Sequence, residues 1–158
     1  MLTIDENLHP DIAPLAWLIG RWEGAGVVGY PTMEESANFG QELVVEHDGR
    51  PFLSWTSRTW ILDESGQKVR PSASESGYWR AAGEGEVELL LAHPTGIVEM
   101  YYGTVEPARI QVRTDSVVRS PSAKEYTAAA RMYGLVGGNL MWVMDMAYKG
   151  HPMTSHMS

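Results

Sequence analysis

Gly20-Arg21-Trp22-Glu23-Gly24-Ala25-Gly26 follows directly on the apolar segment Ala16-Trp17-Leu18-Ile19. Glycines at near-alternate spacing leave one side of an extended segment almost without side-chain volume, so the strand can bend or accept a close neighbour. Trp22 is the one large anchor in the run. A strand of this kind suits a barrel wall, which must bend and pair on both edges. The glycine spacing also resembles that of phosphate-binding turns, but no helical pattern follows it, so a dinucleotide reading fails on context.

On the N-terminal side, His9 to Leu18 reads as a helical turn or two. Pro10 suits the first helical position, Pro14 limits the length, and Ile12, Leu15 and Trp17 offer a plug for the end of a barrel. On the C-terminal side the chain is a series of short β-rich runs separated by turn residues. The expected strands are 20–30, 37–46, 51–62, 74–81, 86–91, 97–105, 109–118, 126–134, 140–148 and 154–158. Asp48-Gly49 and Val136-Gly137-Gly138-Asn139 are hairpin signals. Ile110, Val112 and Thr114 alternate with charged or amide neighbours, and Leu140, Trp142, Met144, Met146 and Tyr148 make one apolar face. The fold class expected is all-β: a ten-stranded antiparallel up-and-down barrel with a short N-terminal helical turn, one domain over 1–158, with a sandwich as the alternative.

The chain has 158 residues and a formal net charge of −8, from 12 basic and 20 acidic side chains. That balance argues against nucleic acid or an anionic membrane surface as partner. No run is long enough to span a bilayer as a helix, and Met1 to Glu6 has no signal-peptide character, so a cytoplasmic location is expected. With no cysteine in the sequence, disulfides, thiolate catalysis and thiolate metal sites are excluded together.

Motifs for chemistry are sparse. His9, His47, His93, His151 and His156 form no zinc-type spacing. His93 and His151 precede prolines at strand ends and read as rim histidines, His47 as a turn residue, and His9 as a helix start. His156 differs: it lies in a final alternating run, where its side chain meets either solvent or the barrel cavity. The acidic residues read as solvated surface. Six of the nine methionines crowd the last third, from Met132 to Met157, and serve either as core or as the wall of a flat ligand. Arg131-Met132-Tyr133 matches the Arg-x-Tyr pattern with which fatty-acid-binding barrels hold a carboxylate.

Taken together, Gly20 to Gly26, Tyr30-Pro31-Thr32, Gly49-Arg50-Pro51-Phe52-Leu53, Glu75-Ser76-Gly77-Tyr78, Leu91-Ala92-His93-Pro94-Thr95-Gly96 and Ala123-Lys124-Glu125 resemble the nitrobindins, in order and over nearly the whole chain. Gly20, Trp22, Gly24 and Gly26 carry the family's signature. The resemblance implies a barrel similar to fatty-acid-binding proteins that holds one haem b per chain. It implies His156 as axial ligand of the haem iron and as the catalytic residue, with Lys124 and Thr32 as further haem contacts. It also implies a ferric protein that isomerises peroxynitrite to nitrate and binds nitric oxide. The chain runs two residues past His156, to Ser158; against the family pattern this shortens the last strand, and a looser seam with a weaker hold on haem is expected. The partners expected are haem b, peroxynitrite and nitric oxide, with neither nucleic acid nor membrane, and a homodimer is left open. The alternative function is a non-enzymatic barrel for a fatty acid or other apolar small molecule, with Arg131 and Tyr133 on the carboxylate.

Overall fold

The computed structural model describes residues 7–29, 37–148 and 154–157, with Tyr148 and 154–157 described by their backbone alone. A 3₁₀-helix, Pro10–Leu18, leads into ten strands: β1 (Gly20–Val28), β2 (Ala37–Glu46), β3 (Phe52–Leu62), β4 (Lys68–Gly83), β5 (Glu86–His93), β6 (Ile97–Glu106), β7 (Arg109–Arg119), β8 (Tyr126–Val136), β9 (Asn139–Tyr148) and β10 (Thr154–Met157). Each strand pairs antiparallel with its neighbour in sequence, and β10 returns to β1, so the barrel closes. The seam between them is short, with Val28 opposite Met157. Closure leaves side chains alternating between lumen and solvent along every strand.

Sequence sets the ends of the barrel. His9 caps the helix, its Nδ1 accepting from the Asp11 N–H at 3.1 Å, and Pro10 occupies the first turn, where no N–H is needed. Ile12, Leu15, Trp17 and Leu18 are buried against the lower end, where the helix packs on β4 and β6. The Trp22 indole donates to the Leu18 carbonyl at 2.9 Å and fastens helix to β1. The connections β3–β4, β5–β6 and β7–β8 therefore gather at the opposite, upper end, together with the last residues of β1 and β9.

Wall curvature depends on two close approaches. A Cβ on Gly77 would stand 1.7 Å from the Leu90 carbonyl oxygen, and one on Gly103 would stand 1.8 Å from that of Gln111. Only glycine allows β4 and β6 to bend this tightly against their neighbours. The lower lumen is filled by Leu43, Val45, Leu53, Trp55, Trp79, Val87, Leu89 and Tyr133, with Trp55, Trp79 and Tyr133 meeting edge-on at 5.4 to 5.7 Å between ring centroids.

β4 is longer than the 74–81 expected. Its first half pairs with the end of β3, with Trp60 opposite Pro71 and Ile61 opposite Arg70. Residues 68–74 are exposed, so this half has no alternating burial to betray it, and Pro71 reads as a breaker. The Lys68 ammonium instead lies 3.9 Å from the Trp60 ring centroid.

Candidate functional site

The upper lumen is organised by one guanidinium. Arg131 on β8 is only 4% exposed. Its Nη1 and Nη2 donate in parallel to Glu75 Oε2 and Oε1 at 2.8 and 2.9 Å, the fork geometry that makes arginine–carboxylate pairs strong. Nε donates to the Tyr101 hydroxyl at 3.0 Å and Nη1 to that of Tyr133 at 3.1 Å. The Trp55 indole donates to Glu75 Oε2 at 2.8 Å. Glu99, 2% exposed, accepts from Tyr101 at 2.6 Å and from Tyr126 and His93. Arg131 Nη2 stands 3.8 Å from its other face.

Each buried charge is thus opposed by a partner, as burial requires. Burial pushes the Glu75 carboxyl up, but Arg131 outweighs it and holds the group below the ordinary 4.5. Burial likewise acts upward on Glu99, and the His93 hydrogen bond and Arg131 charge bring it below its ordinary value. Burial pushes the phenols of Tyr101 and Tyr126 well up, and that of Tyr133 up to about 12. All three stay neutral donors or acceptors at ordinary pH. Beside the ion pair lies a cavity of about 30 Å³ lined by Gln41, Ser57, Thr59, Glu75, Arg131 and Tyr133 among others. Trp142 donates to Gln41 Oε1 at 2.8 Å, and Gln41 Nε2 donates to Ser57 Oγ at 2.9 Å.

Two sequence expectations are corrected here. Glu75 and Glu99 are not solvated surface; they face the lumen. Their phase could have shown it: Glu99 alternates in step with Ile97 and Tyr101, and Glu75 with Gly77 and Trp79. His93 ends β5 as expected, but its ring is turned to Glu99 and its side chain keeps only 17% exposure. The Arg131–Tyr133 pair does hold a carboxylate, but that of Glu75. The methionines divide: Met144 is buried and Met146 partly so, while Met132 and Met141 face outward.

The residues expected to meet a haem map onto the upper end as far as they are described. Lys124 lies exposed in the β7–β8 connection, its carbonyl accepting from Arg119 Nη1 at 3.3 Å. Thr32 and His151 lie outside the described residues. His156 is described by its backbone: it sits on β10 where the register to β9 shifts, between Ser155 opposite Asp145 and Met157 opposite Met144. Register shifts of this kind re-aim side chains beside functional sites. Met144 in turn lies opposite Arg131, so the floor of ion pairs begins two strands away from His156, with β9 between. Of the signature residues, Trp22 is the half-buried clasp on the helix, and a Cβ on Gly24 would meet nothing within 4 Å. That glycine serves flexibility of the strand rather than close approach.

The donor set fits a haem better than a bare metal ion. Among the described residues no three His, Cys, Asp or Glu side chains converge on a metal position. The upper end instead offers a histidine position on β10, a methionine-lined wall on β9 and a lysine in the connection that leads into β8.

The architecture is a closed ten-stranded up-and-down barrel, plugged below by the helix, apolar in its lower lumen and carrying a buried ion-pair network above. The chain belongs to the family described as the THAP4-like, heme-binding beta-barrel domain, whose profile matches residues 11–158. It is 50% identical over 154 residues to a protein of Nocardioides sp. named peroxynitrite isomerase, covering 98% of this chain and 93% of that one. It is 49% identical over 161 residues to the ferric nitrobindin-like protein of Kineococcus radiotolerans, covering 93% and 89%. The crystal structure of Rv2717c from M. tuberculosis superposes with a TM-score of 0.84 at 36% identity, covering 95% of this chain and 94% of that one.

Proposed function

We propose that this protein is a ferric haem b protein that isomerises peroxynitrite to nitrate and binds nitric oxide, acting in the cytoplasm as one domain over 1–158. The observation that carries this reading is its near full-length similarity to proteins named peroxynitrite isomerase. When bound, the haem would supply a ferric iron able to promote the isomerisation of peroxynitrite to nitrate. The remaining work falls to side chains. His156 would hold the haem iron through a neutral imidazole lone pair. Lys124 would hold the group by opposing its negative charge. Thr32 is a further contact. Met144 and Met146 line an apolar wall, and the helix seals the far end against water. The Arg131–Glu75–Glu99 floor is already charge-paired, so it offers no free cation to hold the anionic substrate away from the mouth. Conversion of peroxynitrite to nitrate takes up no net proton, and a site without a dedicated acid–base pair suffices.

A homodimer is part of the same proposal. Its support is the exposed outer row of Val98, Met100, Tyr102 and Val118, and sedimentation velocity on the purified protein checks it. No specific observation favours the fatty-acid reading, because Glu75 occupies the arginine that reading needs.

Rapid mixing of the hemin-loaded protein with peroxynitrite tests the activity. Decay should accelerate in proportion to protein, with nitrate as the product. Decay no faster than with free hemin, or nitrite and dioxygen in place of nitrate, would contradict the enzymatic claim.

A further inference from the structure

We propose that Arg131, Tyr133, Tyr101 and Trp55 form a binding site for a small carboxylate, and that Glu75 is the specificity-determining residue that fills it from within the chain. The filled site denies the guanidinium to free carboxylates, those of fatty acids included.

The geometry is that of a ligand site with its ligand in place. Side chains from β3 and β8 converge on one carboxylate of β4, and Tyr101 of β6 supports the guanidinium from behind. Two parallel N–H donors at 2.8 and 2.9 Å and an indole donor at 2.8 Å engage it, and tyrosine hydroxyls hold the guanidinium in register. The receptor side is buried, with Arg131 at 4% and Tyr133 at 2% exposure. The occupant is less so: the Glu75 side chain keeps 16% accessibility, which gives the slot an edge toward solvent. The cavity of about 30 Å³ borders Glu75 and Arg131 and carries the Ser57 and Thr59 hydroxyls. Shortening Glu75 to alanine removes its terminal methylene and carboxylate. The space left, joined to this cavity, matches formate or acetate, and the guanidinium facing it loses its bidentate partner and keeps only the more distant Glu99, at 3.8 Å.

The test is chemical rescue. Glu75→Ala should melt roughly 10 °C below the wild type in chloride buffer, because the buried arginine loses the carboxylate it holds with two parallel hydrogen bonds. Sodium formate should raise that melting temperature saturably and recover at least half of the loss, relative to sodium chloride at equal ionic strength. Formate should leave the wild type unmoved, and the wild type should not bind a fluorescent long-chain fatty acid. Formate no better than chloride would overturn the proposal. So would equal rescue in Glu75→Ala/Arg131→Met, or saturable fatty-acid binding by the wild type. Should Glu75→Ala not fold in chloride buffer, its refolding yield from urea in formate against chloride decides in the same way, and an unchanged yield counts against the site.

Discussion

Arg131 sets the electrostatics of the lumen. Two carboxylates and two phenols are arranged on it, so removing it strands Glu75 and Glu99 at once. Arg131→Met should therefore lose about 3–5 kcal/mol of stability, read from urea denaturation, with the barrel still closed by its backbone. The same network fixes how stability depends on pH. Glu75 and Glu99 have native values below the ordinary 4.5; their contribution is present above that value and is lost as pH falls through the native ones, because only the unfolded chain takes up the proton readily. Tyr101, Tyr126 and Tyr133 have native values above the ordinary 10.0; their contribution is present below 10.0 and is lost as pH rises, because the unfolded chain ionises first. Melting temperature against pH should be flat between these limits and fall on both sides. Loss of stability beginning near pH 6 would mean that the network is not the controlling group.

At the scale of elements, the helix and the hairpins do most to fix the barrel. Leu15 is 1% exposed in the lower plug, and Leu15→Ala should cost about 2–5 kcal/mol by leaving a cavity there, measured in the same urea titration. Much of this level is legible in the sequence. The run Ala37 to Glu46 forms β2 at the bounds expected, since apolar residues alternate between turn residues. Gly137 and Gly138 take φ of 57° and 83°, the pair of left-handed conformations that a two-residue hairpin turn demands. What the pattern hides is any strand or side chain whose burial breaks the polarity rule. The 68–73 half of β4 alternates Lys68, Arg70 and Ser72 with Val69, Pro71 and Ala73, but its apolar side is small and interrupted by Pro71, so the run reads as a break rather than a strand. Glu75 and Glu99 have the right phase for the lumen but the wrong chemistry for a core, and only the presence of Arg131 across the barrel makes their burial tolerable. That pairing spans 56 residues of sequence, beyond the reach of any local pattern.

For the whole molecule, closure explains why chemistry gathers at one end. An up-and-down barrel alternates its connections between two rims, and the helix takes the lower one. The upper rim receives the segment around Lys124 and the strand carrying His156, which are 32 residues apart in number. The resemblance of the chain to its family made His156 legible as the candidate ligand; spacing alone left it between cavity and solvent. Hemin titration of the wild type and of His156→Ala, followed in the Soret region, tests the central claim most directly. The wild type should give a saturable Soret band at one hemin per chain, and His156→Ala should abolish it or shift it to the spectrum of a differently ligated haem. A variant that binds hemin with the same stoichiometry and an unchanged spectrum would show that the iron is held elsewhere.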